Sequence, residues 1–87
     1  MDIKELKSKG QTLKPIVRIG KNGLTDMQVI EIKKHLQKRK LVKIKMLKAL
    51  IEDKGTGIKD MMADEICAKT GAQLVQRVGF TVLIYKE

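Results

Sequence analysis

The stretch KPIVRIGKNGLT, residues 14–25, permits few local structures. Pro15 has a fixed φ and no N–H, which suits the first residue of a strand or an edge position. Ile16, Val17 and Ile19 are β-branched and fit a pleated, half-buried surface. Gly20 and Gly23 open backbone angles closed to other residues and allow close approach of a ligand. Thr25 is a candidate N-cap with Gln28 three residues on, the spacing of a capping box. Leu24 and Val29 stand at the spacing of a hydrophobic staple. The segment therefore predicts a strand, a loop bearing Lys21 and Asn22, and a helix whose N-terminus faces that loop. Such a loop can cradle phosphate.

Glycines at a strand-to-helix junction also serve a plain turn, and G-x-x-G alone does not separate the two readings. No Gly-Lys-Ser or Gly-Lys-Thr follows, so this is not a Walker A loop, and the third glycine of a dinucleotide fingerprint is missing.

Charge narrows the choice of partner. Nineteen Lys and Arg against ten Asp and Glu give +9 at pH 7 over 87 residues. A field of that sign on a chain this short favours polyanions. A membrane surface is the rival polyanion, but no segment reaches the roughly 20 apolar residues that span a bilayer. MDIKELKSKG lacks the apolar run of a signal peptide. Cys67 is the only cysteine and His35 the only histidine, a poor basis for a zinc site or an internal disulfide. The expectation is a cytoplasmic protein without a cofactor. Its length predicts a single domain with a modest core. That core must be aliphatic, because the chain has no Trp, one Phe (Phe80) and one Tyr (Tyr85).

Along the chain, residues 2–9 predict a short helix with Asp2 as cap, Gly10 as stop, and Ile3 and Leu6 facing inward, Leu13 continuing the contact. Residues 26–40 predict the longest helix, with Val29, Ile32 and Leu36 as its apolar stripe, bordered by Met27 and Ile30. Cations crowd the C-terminal half of that helix, where they suit the macrodipole. Lys38-Arg39-Lys40 can therefore be a solvated helix end or a ligand contact. His35 lies among lysines, with no partner nearby in sequence that would orient it for catalysis. In LVKIKML, residues 41–47, Val42, Ile44 and Met46 alternate with Lys43 and Lys45, the pattern of a strand with one wet face. Residues 48–57 predict a prolonged strand or a turn, followed by a flexible loop from Asp53 to Gly57. Ile58, Met62 and Ile66 mark a second packing helix to Thr70, with Gly71 as its C′ residue. Leu74–Val78 and Thr81–Tyr85 predict a hairpin turning at Gly79-Phe80, the type II′ preference.

The order is thus α-β-α-β-α-β-β, an α/β fold with a four-stranded mixed sheet and helices packed on it. Two strand–helix–strand crossovers of one hand place both crossover helices on one face of the sheet. The other face is then partly open and carries Arg18, Lys43 and Lys45.

Two segments, TLKPIVRIGKNGLTDMQVIEIKKHLQKRKLVKIKML and IKDMMADEICAKTGAQLVQRVGFTVLIYK, together resemble the CRM domain (chloroplast RNA splicing and ribosome maturation) in its single-domain YhbY-like form. The resemblance covers nearly the whole chain. It implies a fold like the C-terminal domain of bacterial translation initiation factor three and binding to structured RNA, ribosomal or intronic. The family's signature loop falls on Gly20, Lys21, Asn22 and Gly23, flanked by Lys14, Pro15 and Leu24. The segment ALIEDKGTG departs from the family's pattern.

Loop chemistry and resemblance combine into one expectation. KH domains clamp nucleotide backbone with a G-x-x-G loop, although between two helices. Here Gly20 and Gly23 would give backbone approach, Lys21 charge, and Asn22 a hydrogen bond to phosphate or sugar. Arg18, Lys34, Lys38, Lys43 and Lys45 would widen the site into a basic track. Contacts of this kind position RNA without reading sequence. With Phe80 and Tyr85 expected in the core or at an edge, no base-stacking platform is expected. The leading reading is an RNA-binding module in ribosome assembly or translation. A protein-interaction module on ribosomal particles and a generic nucleic-acid binder are the alternatives. Asp53, Asp60, Asp64 and Glu65 have no nucleophile or ligand cluster beside them, so an enzyme is not expected.

Overall fold

The computed structural model describes residues 2–87. Its elements are α1 (Ile3–Gly10), β1 (Val17–Ile19), α2 (Asp26–Arg39), β2 (Leu41–Met46), α3 (Lys48–Lys54), α4 (Ile58–Thr70), β3 (Gln73–Val78) and β4 (Thr81–Tyr85). The strands form one sheet in the order β1-β2-β4-β3. β1 runs parallel to β2, whereas β4 is antiparallel to both β2 and β3. The expected mixed four-stranded sheet is therefore present, with β4 in the interior, as its two apolar faces require.

Register assigns each side chain to a face. Val17 pairs with Ile44 and Ile19 with Met46, and the same side continues through Val82 and Ile84 on β4. These residues form the main core with Ile32 and Leu36 of α2 and Met62, Ala63 and Ile66 of α4. The two crossover helices thus share one face. Arg18 with Lys45, Lys43 with Leu83, and Leu41 with Tyr85 occupy the opposite face. That face is not simply open. α1 packs on it through Leu6, against Leu41, Val75 and Leu83, with Leu13 and Tyr85 at the margin. Ile3, expected inside, is 44% exposed. A bulge between Leu74 and Gln76 leaves Val75 as the extra residue of β3, and Val75 fills this second cluster.

Gly10 does more than end α1. A Cβ there would collide with both δ-carbons of Leu83, so glycine lets α1 lie directly on β4. Asp2 caps α1 by accepting from the N–H groups of Lys4 and Glu5.

Residues 48–54 differ from expectation. They form a fourth helix, α3, rather than a strand extension or turn, and only Gly55–Gly57 remain as connector. Leu50 is fully buried in the main core, and Lys48 sits one turn from Glu52. A seven-residue helix has no stability of its own. Burial of Leu50 holds it, and Leu50→Ala would cost about 2–5 kcal/mol.

Candidate functional site

One end of the sheet brings the Gly20–Gly23 loop together with cations of β1 and β2. The C-terminal ends of β1 and β2 and the N-terminal end of β4 meet there, because Ile19 pairs with Met46 and Lys45 with Thr81. The loop Gly20–Gly23 leaves from β1 at this end. The N–H of Gly23 donates to the carbonyl of Gly20 at 2.9 Å, which makes a four-residue turn with exposed Lys21 and Asn22 at its centre. Glycine is favoured at the last position of such a turn, and Gly23 has φ +76°. Gly20 has no comparable requirement. Its φ is not in the left-handed region, and an added Cβ would meet only Leu47 Cδ1, at 3.6 Å. The plain-turn reading accounts for one glycine of the pair.

The turn is held rigidly from behind. Thr25 caps α2 by accepting from the N–H of Gln28, while the Gln28 side chain accepts from the N–H of Thr25, a complete capping box. Gln28 Nε2 also donates to the carbonyl of Arg18 at 2.9 Å. One side chain thus ties the start of α2 to the strand that feeds the loop. Leu24 packs against the main core. At the tip, the N–H groups of Lys21 and Asn22 have no partner among the described residues. Asp26 in the first turn of α2 offsets part of the helix dipole. The positive potential of the turn therefore comes chiefly from side chains.

Arg18 and Lys45 supply it. They are exposed register partners beside the turn. Lys48, at the start of α3, lies at the same end, and only the helical state of residues 48–54 brings it there. The remaining expected site residues are placed elsewhere. Lys43 shares the face of Arg18 and Lys45, but it is half-buried and its Nζ donates to the carbonyl of Gly10 at 3.2 Å, closing the C-terminal end of α1. Lys14 precedes β1, at the strand's other end. Lys34 and Lys38 lie on α2, about 12 and 18 Å along its axis from Asp26 at 1.5 Å per residue. They run away from the turn, on the opposite side of the sheet from Arg18 and Lys45. Near the end of α2 a hollow of about 480 Å³ is lined by Lys33, Lys40 and Lys86, among others. The basic residues thus form two groups at opposite ends of the sheet rather than one track.

Phe80 also departs from expectation. It lies at the tip of the β3–β4 hairpin, 40% exposed, with Lys59 Nζ 4.7 Å from its ring centre. Tyr85, by contrast, is half-buried beside α1. Exposure of a turn residue depends on what surrounds the hairpin, which no local pattern of residues 79–80 encodes.

Among the described residues, no cluster of three or more His, Cys, Asp or Glu could hold a metal ion, and no helix is long and apolar enough to cross a membrane.

The molecule is thus an α/β domain with a lysine-bearing turn at its strand ends, in a chain of net charge +9. Residues 1–86 match the profile of the CRS1/YhbY (CRM) domain, and the chain belongs to that family. It is 35% identical over 82 residues to YqeI of Bacillus subtilis, named a probable RNA-binding protein, covering 94% of this chain and 80% of that one. It is 33% identical over 84 residues to PA4753 of Pseudomonas aeruginosa, which carries the same description, covering 97% of this chain and 76% of the relative. The solution structure of SAV1595 from Staphylococcus aureus superposes with a TM-score of 0.76 at 29% identity, over 98% of this chain and 83% of the other.

Proposed function

We propose that the protein binds structured RNA through the Gly20–Gly23 turn and the cations beside it, and acts on ribosomal or pre-ribosomal RNA. The carrying observation is the turn itself. Its tip presents two unpartnered N–H groups, Lys21 and Asn22, on a backbone fixed by the Gln28–Arg18 hydrogen bond, and Gly20 lacks a side chain that the fold would tolerate. Free N–H groups in such an arrangement receive phosphate oxygens, and the missing Cβ lets the nucleotide backbone come close. Arg18, Lys45 and Lys48 add charge on the adjoining strand ends. Lys34 and Lys38 can reach a large RNA that wraps the molecule, but not the same few phosphates as the turn. RNA binding by this chain is supported by its family membership and by the descriptions of its relatives. The ribosomal target rests on the resemblance of its sequence to ribosome-maturation domains.

The test is a salt series with a folded ribosomal RNA fragment and duplex DNA of equal length. Four phosphate contacts give a slope of log K against log salt of about −3. Lys21→Asp with Asn22→Asp abolishes preferential RNA binding without changing the circular dichroism spectrum. Retained binding in that variant would remove the turn from the interface. Equal affinity for DNA would reduce the protein to a polyanion binder, and failure to co-sediment with ribosomal particles would discard the ribosomal target.

A further inference from the structure

We propose that Phe80, with Lys59 against its ring, is a stacking platform for one unpaired base of the bound RNA. This rests on the reading of the Gly20–Gly23 turn as a phosphate site and adds a different kind of contact.

Phe80 has no evident work in the fold. It belongs to neither apolar cluster, and the hairpin turns at Gly79, whose φ of +56° meets the need of that turn. Yet its backbone is tied down. The carbonyl of Phe80 accepts from the N–H of Met46 at 2.6 Å, and the Thr81 hydroxyl donates to Val78 across the turn. An exposed aromatic on a rigid turn loses little freedom when a flat ligand settles on it. Lys59 Nζ stands over the ring as a cation–π partner, the 40% exposure of Phe80 leaves room for a base, and the ammonium adds a positive charge beside it.

The spacing suits a single strand. Ile19, which leads into the turn, pairs with Met46, which is bonded to Phe80. Two strand spacings separate the phosphate site from the ring, about 10 Å at roughly 4.8 Å each. Stacked nucleotides advance roughly 3.4 Å per step, so a few nucleotides bridge the gap. Lys48, exposed at the start of α3, follows β2, the strand between β1 and β4, by one intervening residue. A strand crossing these three strand ends meets a phosphate cradle, a cation and an aromatic ring in succession. Aliphatic side chains cannot substitute for that ring, because stacking uses the π-face of both partners.

The experiment uses an RNA hairpin with one unpaired nucleotide, carrying A, C, G or U at that position, and its fully paired counterpart. Phe80→Ala and Phe80→Leu are expected to weaken binding of the bulged hairpin by about tenfold and to leave the paired one unchanged. Phe80→Trp restores the affinity. It would be the only tryptophan of the chain, so quenching of its emission by bulged RNA reports stacking directly. Wild-type affinity in the Ala and Leu variants, equal losses on both hairpins, or unquenched emission at saturation would each overturn the platform. Lys21→Ala, measured alongside, lowers affinity for both hairpins. If that variant binds normally while the Phe80 effects appear, the turn reading fails and the platform stands. If neither hairpin binds wild-type protein, both fail.

Discussion

Arg18 and Lys45 are register partners on neighbouring parallel strands, two exposed cations side by side on one face of the sheet. Like charges set directly across strands destabilise a sheet, and Lys45 has uncharged Thr81 on its other side. The free protein thus carries a repulsion that a polyanion bound there, as proposed, would relieve. Lys45→Glu converts it into an attractive pair. The expected outcome is a gain of roughly 0.2–1 kcal/mol in urea unfolding, together with weaker RNA binding and a shallower salt slope. A variant that is both less stable and unimpaired in binding would contradict this account.

The two glycines of the turn separate fold from function. Gly23→Ala forces a side chain onto a φ of +76° and should cost about 1–2 kcal/mol, visible as a lower melting temperature. Gly20→Ala meets nothing closer than Leu47 Cδ1 at 3.6 Å and should leave the melting temperature nearly unchanged. Its effect should appear in RNA affinity, where the new methyl group stands in the path of the phosphate. Losses in stability alone at both positions would mean that the turn has only a structural role.

These relationships show which features local sequence encodes. The capping box at Thr25 and Gln28, the αL residue Gly71 and the turn at Gly79 are each set by residues a few positions apart, and each is present. The alternation of Val42, Lys43, Ile44 and Lys45 likewise names two faces before any partner strand is known. α3 escapes because it is seven residues long with a single fully buried side chain, Leu50. Its helical state is imposed by tertiary packing rather than propensity. The same limit hides the surroundings of Lys43 and Phe80. Lys43 looks like a solvent-facing strand lysine until α1 is laid across it, and Phe80 reads as a core or edge aromatic until the hairpin tip is left uncovered. The split of the basic residues into two groups follows from which end of the sheet each helix terminates at, a property of topology alone.

The Cys67 thiol is pushed above its ordinary value of 9.0, first by burial and then by the nearby Asp64 carboxylate. The thiolate is the reactive form, so Cys67 should alkylate with iodoacetamide more slowly than free cysteine at pH 8, with a rate midpoint above pH 9.0. The linkage has a definite sign. The folded state holds the thiol proton more tightly than the unfolded chain, so this contribution to stability is complete below the unfolded pKa and is lost as pH rises through the folded one. An alkylation rate equal to that of free cysteine would show the thiol to be fully solvated.

Lys43 offers the sharpest separation between a lysine that holds the fold and one proposed to hold RNA. Its Nζ donates to the carbonyl of Gly10 at 3.2 Å, at the helix end where orphan carbonyls need partners and where a cation suits the dipole. Lys43→Met keeps the aliphatic stem beside Leu83 and removes only the ammonium. The expected cost is about 1 kcal/mol of stability, concentrated in α1, whose amide hydrogens should exchange faster than those of α2 and α4. RNA affinity should fall far less than for Lys21→Ala, because the charge removed is already engaged within the protein. Intact α1 protection with a large loss of RNA binding would return Lys43 to the interface, and the uncovered part of the sheet face beside Arg18 and Lys45 would then have to be counted as part of it.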